Sequence, residues 1–246
     1  MQNTPTAILL EKWEAQRQIK NSMGKMANCI LLNREAEIFD LFWAKTKEDV
    51  CLGFNEGWYA GAEAIQGYYA AEHDRCALVA DCLQKAYPKV IGGKSADEIY
   101  GIGVFKARPL YAPVIEIADD LQTAKGLWYC MGTAAEVDTA GPVAHWTWGW
   151  YAADFVLEGE QWKIWHLQYI NDVDCICGQS WGKPQTPYPD LPEFAPMASF
   201  RMPQPTVSTC LRPYYDPRRP ITPAPEMPVP YKTFAETFSY GMEAAL

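Results

Sequence analysis

The 246-residue chain is short of positive charge: 21 lysines and arginines stand against 30 aspartates and glutamates, a formal net charge of −9 at neutral pH. Such a chain has no cation surplus to neutralise phosphates or anionic head groups, so nucleic acid and membrane surfaces are not expected partners. Long apolar runs are missing as well. The opening MQNTPTAILLEKWEAQRQIK holds four consecutive apolar residues before charges resume. No uninterrupted run approaches the ~18 apolar residues of a membrane helix, and the sequence predicts neither a leader peptide nor a membrane span. Paired cysteine spacing is absent too. Eight scattered cysteines make no disulfide framework in a chain this long, which fits a reducing cytoplasm. Cys175-Ile-Cys177 stands near Asp172 and Asp174 but lacks a second Cys/His pair, so no metal is expected. Gly101-Ile-Gly103 lacks the third glycine of a dinucleotide fingerprint, and neither a P-loop nor a G-x-S-x-G element occurs. The sequence therefore supports neither nucleotide chemistry nor acyl-serine chemistry, and no cofactor is expected.

What is present divides the chain in two. Fourteen of the 19 prolines lie from Pro184 onward, where missing amide donors forbid helix interiors and central strands. Residues 181–246 are expected to form an extended tail. Its aromatic residues, including Tyr188, Phe194, Phe200, Tyr214, Tyr215, Tyr231, Phe234 and Tyr240, are too many for a solvated linker and should pack on this subunit or a neighbour.

Residues 1–180 read as one domain. Apolar positions at helical spacing over residues 8–44 break near Leu32, Asn33 and Arg34, predicting two helices, with Asn33 as a helix cap. A short strand at Val50 to Phe54 and the turn Asn55–Glu56–Gly57 precede Trp58 to Gly61, and a helix is expected from there to Pro88. Four longer strands follow, at Leu110–Ala118, Thr123–Val137, Ala144–Leu157 and Trp162–Asn171, joined by short polar connections. Helices followed by an antiparallel meander predict an α+β fold with helices packed on one face of a curved sheet.

The segments WYAGAEAIQGYY, APVIEIADDLQTAKGLW and WGWYAADFVLEGEQWKIWHL, in this order and spacing, resemble the SnoaL-like branch of the nuclear-transport-factor-2-like fold. The resemblance covers about residues 8–180. It implies a cone-shaped α+β barrel, cystatin-like in outline, whose bent sheet wraps a long helix around a deep, mostly apolar pocket. Relatives include cofactor-independent dehydratases, dehydrochlorinases, isomerases and polyketide cyclases, and also noncatalytic binding proteins.

The acid–base residues of those relatives are not retained in the implied alignment. Leu31 stands where several carry a catalytic Asp, Arg108 lies nearest a common catalytic His, and Phe54 and Ala153 occupy two ketosteroid-isomerase positions. Strand alternation with Ala153 inward sends His145, Thr147, Tyr151 and Phe155 to the interior and Trp146, Trp148, Trp150 and Asp154 outward. His145 is then a candidate base and Tyr151 a hydrogen-bond donor to a developing oxyanion, with Arg108 and Tyr169 as further catalytic candidates. Trp165, Leu167 and Asn171 share the inward face of the last strand, while His166 faces out in a structural role. Asn28, Leu31, Phe54, Tyr59 and the i,i+4 pair Tyr69 and His73 complete the candidate substrate contacts.

The implied function is a cofactor-free lyase or isomerase acting on a hydroxylated aromatic or steroid-like molecule. The alternative is a noncatalytic binding or assembly protein, favoured by Leu31 and Phe54. Outward Trp146, Trp148 and Trp150 suggest a homodimer or homotrimer.

Overall fold

The computed structural model describes residues 5–138, 141–178, 180, 202–220 and 225–242. Tyr188, Phe194 and Phe200 lie outside the described residues.

Helix α1 (Pro5–Leu31) buries Ala15, Ile19, Met23, Met26, Cys29 and Ile30, the later part of the apolar stripe of its sequence, while Leu9, Leu10 and Trp13 at its start are exposed. It ends because Asn33 takes a left-handed φ of 54°, with the Arg34 amide returning to the Cys29 carbonyl at 2.8 Å. Asn33 is thus a helix-terminating residue rather than an N-cap; its side-chain amide donates to the Val104 carbonyl at 3.2 Å. A single 3-10 turn, Glu35–Glu37, leads into α2 (Ile38–Phe42).

Strands β1 (Cys51–Phe54) and β2 (Gly57–Ala60) form a hairpin. Gly61, at φ 85°, turns the chain into α3 (Ala62–Ala86), which stops just before Pro88. Two one-turn helices, α4 (Pro88–Ile91) and α5 (Ala96–Ile99), lead to β3 (Val104–Ala107), a strand the sequence reading does not contain. The long strands β4 (Leu110–Ile117), β5 (Thr123–Asp138), β6 (Gly141–Glu158) and β7 (Gln161–Ile176) follow where alternation placed them. A two-residue β8 (Val207–Ser208) comes from the tail.

The sheet runs β3-β5-β6-β7-β1-β2-β8, with β4 also paired to β5. It is mixed, not purely antiparallel, because β1 lies parallel to β7. Breaks in register between Tyr111 and Val114, Trp148 and Gly149, and Asp154 and Phe155 bend the long strands around the helices.

The inner face, with Trp128, Tyr151, Phe155, Leu167 and Tyr169, joins α1 and α2 in one apolar cluster. Part of the outer face is covered by the described segments 202–220 and 225–242 of this same chain. Residues 225–242 lie over Leu127 and Ala152 through Tyr240 and Phe238, and Asp119 and Asp120 amides donate to the Tyr231 and Lys232 carbonyls. Beneath this segment the Lys125 ammonium sits 2.6 Å from Asp154 Oδ1, both side chains fully shielded from solvent. Asp154 Oδ2 lies 2.8 Å from His166 Nδ1 and accepts the Tyr240 amide at 2.7 Å. Phe238 and Phe234 ring centres stand 4.4 and 4.6 Å from Lys125 Nζ. Residues 202–220 cover the neighbouring part, with Val207 paired to Trp58 and Arg212 bound to Asp172. Of the three outward tryptophans of β6, only Trp146 remains strongly exposed.

Candidate functional site

Inside the sheet's curve, side chains from α1, the 3-10 turn, α3 and the strands β1, β3, β6 and β7 meet. The period-2 alternation around β3 turns Val104 and Lys106 inward, and Arg108 follows on the same side at the strand's exit. Helix α3 contributes Tyr68, Tyr69 and Glu72, which share one helical face. Glu35 comes from the 3-10 turn, and Phe54, Tyr151, Leu167 and Tyr169 from the sheet.

The rings close on one another. Tyr151 and Tyr169 stack at 4.6 Å between centroids, Phe54 meets Tyr68 at 5.0 Å, and the Arg108 guanidinium lies 4.3 Å from the centre of the Tyr169 ring. The cavity left between them is about 40 Å³, room for a few water-sized groups. The deep apolar pocket implied by the family resemblance is therefore filled by Phe54, Tyr68, Tyr151 and Tyr169, and its floor is polar.

That floor holds a buried charge network. Lys106 Nζ contacts Glu35 Oε1 and lies 3.0 Å from Glu72 Oε2, which Arg75 also approaches at 3.1 Å. Lys106 and Arg75 thus match the two carboxylates. Among the described residues Arg108 makes no ion pair within 4 Å; its guanidinium is bonded to the Tyr151 hydroxyl and acts on Glu72 at longer range. Burial opposes ionisation of Glu72, but Arg75, Lys106 and, more weakly, Arg108 outweigh it and hold the carboxyl down to about 2. Burial pushes the phenols of Tyr68, Tyr151 and Tyr169 up, keeping them neutral hydrogen-bond donors. Glu35 is 3% exposed, and its Oε2 finds no hydrogen-bond partner among the described residues. An unsatisfied buried carboxylate oxygen costs about 1–3 kcal/mol or more, a cost a bound donor would remove.

Six sequence-derived candidates line this cavity: Arg108, Tyr151, Tyr169, Phe54, Tyr69 and Leu167. The others stand elsewhere. His145 lies toward the other end of β6, 3.1 Å from Asp174, and does not reach the cavity. Tyr59 packs on Tyr68 and donates its hydroxyl to the Pro203 carbonyl. Trp165 donates to Asp49 and packs on Phe234. The Asn171 amide donates to Asn55. His73 is exposed and stacks on Tyr100, one helical position from the cavity-facing side. Asn28 donates to the Gly24 carbonyl on the exposed side of α1, and Leu31 lies outside the lining.

Glu35, Glu72 and Lys106 were not among the candidates. The i,i+4 pair Tyr68 and Glu72 and the alternation through Lys106 were the available signals. No group of three or more metal-ligating side chains occurs among the described residues, and none of the helices described is long and apolar enough to cross a membrane.

Residues 11–168 match the family described as SnoaL-like domain. Among solved structures the chain is similar to a protein of unknown function from Mycobacterium tuberculosis, with 15% identity, a TM-score of 0.44, and coverage of 70% of this chain and 78% of that one. It is also similar to a type 2 hexachlorocyclohexane dehydrochlorinase, with 10% identity, a TM-score of 0.47, and coverage of 70% and 94%. A type 3 hexachlorocyclohexane dehydrochlorinase from Novosphingobium barchaimii follows at 10% identity, TM-score 0.45 and coverage of 70% and 95%. No curated protein matches the chain.

Proposed function

The chain belongs to the SnoaL-like family of the nuclear-transport-factor-2-like superfamily, and on that premise we propose that its interior is the acid–base site of a cofactor-free lyase or isomerase. The observation that carries this reading is the buried Oε2 of Glu35, which has no hydrogen-bond partner among the described residues and lies on the same cavity as the guanidinium of Arg108. One is a proton acceptor, and the other, bonded to the neutral Tyr151 hydroxyl and stacked on Tyr169, is an anchor for negative charge.

In this proposal Glu35 removes a proton from carbon beside a carbonyl or phenolic system. The electron pair moves toward the substrate oxygen, where Arg108 and the Tyr151 hydroxyl hold the developing charge. In an elimination the pair returns to form the double bond, and a departing hydroxyl takes the proton from Glu35 to leave as water. In an isomerisation Glu35 returns the same proton to a different carbon. Lys106 positions Glu35 by engaging its other oxygen. The substrate is a hydroxylated aromatic molecule whose reacting end enters the polar floor while the Phe54 and Tyr68 rings swing aside for the rest.

The filled interior favours one other reading, a noncatalytic binding or assembly protein. A panel of hydroxylated aromatic and alicyclic ketones, followed for loss of water or double-bond migration, tests the two. Turnover that falls about 100-fold or more in Glu35→Gln supports the enzyme. Saturable binding without turnover supports the alternative.

A further inference from the structure

A second cavity, far larger than the interior one, lies on the opposite side of the sheet. It measures about 530 Å³ between the outer face of β5, β6 and β7 and the tail segment 212–220. That volume falls in the range of small-molecule pockets, roughly 300–1,000 Å³. Tyr129 and Trp148 form the sheet wall, and Tyr214, Tyr215 and Pro220 face them from the tail. Trp148 follows Thr147, which turns inward to meet the Tyr169 hydroxyl, so the thickness of the sheet separates the two cavities.

The polar groups around this cavity show what charge it would accept. Asp172 is satisfied on both oxygens, by Arg212 Nε and by the Trp150 indole at 2.9 Å. Asp216 is held by the Arg218 backbone and side chain at 2.8–2.9 Å. Arg219 is left with one weak approach to Asp216 at 3.7 Å and one hydrogen bond to the Tyr214 carbonyl at 3.3 Å. Its side chain is 55% exposed, and most of its five N–H donors have no acceptor among the described residues. Among the described residues Arg212 and Arg218 engage the two aspartates closely, and Arg219 is the loosely held, half-exposed guanidinium on the cavity.

We propose that this outer cavity is a binding site for a planar aromatic molecule carrying an anionic group, its ring between the tyrosines and Trp148 and its anion on Arg219. Aromatic walls supply stacking, and a guanidinium in fork geometry recognises a carboxylate. The site is independent of the chemistry proposed for the interior.

The test titrates the full chain with 2-naphthoate and its neutral analogue 2-naphthamide by calorimetry, in wild type, Arg219→Gln, Trp148→Ala, Tyr215→Ala and Arg108→Gln. The proposal expects saturable naphthoate binding that weakens by roughly threefold or more in Arg219→Gln, the scale of a partly exposed ion pair. The naphthamide affinity stays unchanged in that variant. Both ligands weaken by about tenfold when an aromatic wall is removed at Trp148 or Tyr215, and Tyr215→Ala leaves the sheet intact should Trp148→Ala not fold. Arg108→Gln leaves naphthoate binding as in wild type. Absence of saturable binding, equal naphthoate affinity in Arg219→Gln, or loss in Arg108→Gln alone would overturn the proposal; the last would place the ligand in the interior and leave the acid–base reading standing.

Discussion

Glu35 and Lys106 meet inside the curved sheet, and the contact engages one oxygen of the carboxylate while the other is buried with no hydrogen-bond partner among the described residues. The two residues stand 71 positions apart, and Lys106 reaches Glu72 as well. Burying charges costs several kcal/mol per ion and is repaid only where partners are complete. Here completion stops one hydrogen bond short, at the cavity wall.

Lys106→Met should be strongly destabilising. It leaves two buried carboxylates with Arg75 as their remaining close cation, and breaking such a network by removing one partner costs about 3–5 kcal/mol. Urea unfolding of wild type and variant measures this. Adding Glu35→Gln to Lys106→Met should recover part of the loss, because the uncompensated charge is gone.

The Lys125–Asp154 pair makes a parallel prediction on the outer face. Asp154→Ala strands a fully buried ammonium and removes the acceptor of the Tyr240 amide, again a loss of about 3–5 kcal/mol. Hydrogen exchange at the Tyr240 amide should accelerate more than at amides in the middle of β6, since residues 225–242 lose their anchor while the sheet keeps its ladder. Gly241→Ala should loosen the same segment, because an added Cβ would stand 2.7 Å from the His166 ring.

Acid titration has a defined sign at Glu72. Its folded pKa of about 2 lies below the ordinary value of 4.5, so its contribution is fully present above pH 4.5 and is lost as pH falls toward 2. The full contribution is roughly 3 kcal/mol from the size of that depression. Urea midpoints measured from pH 6 to pH 2 should fall in that window, and Glu72→Gln should flatten that part of the curve.

Sequence legibility followed the length scale of each interaction. The inward set Thr147, Tyr151 and Phe155 was readable because β6 alternates between two distinct environments, and the limits of α3 were readable from Gly61 and Pro88. Parity tells the face of a strand but not depth along it, which is why His145 shares parity with Tyr151 yet stands beyond the cavity. The four residues of β3 carry only one short alternation, Val104 and Lys106 against Phe105 and Ala107, too brief a signal to mark the strand, and Lys106 goes unnoticed with it. Glu35 and Glu72 have the composition of solvated positions; only long-range folding brings a buried cation to them. The parallel contact of β1 with β7 is non-local in the same way.

Space is the next prediction. Tyr68→Ala removes a ring that closes the 40 Å³ cavity, and an added small aromatic alcohol such as benzyl alcohol should raise the Tm of that variant, with a stabilisation that grows as the logarithm of ligand concentration above Kd. The wild-type Tm should respond weakly. Equal responses would mean that the ligand binds elsewhere.

The most direct measurement is solvent deuterium entry into the substrate carbon, followed by proton NMR with a turned-over member of the ketone panel, in wild type, Glu35→Gln and His145→Ala. With Glu35 as the base, wild type and His145→Ala exchange at similar rates while Glu35→Gln slows by about 100-fold or more. Exchange that persists in Glu35→Gln and vanishes in His145→Ala would contradict the account.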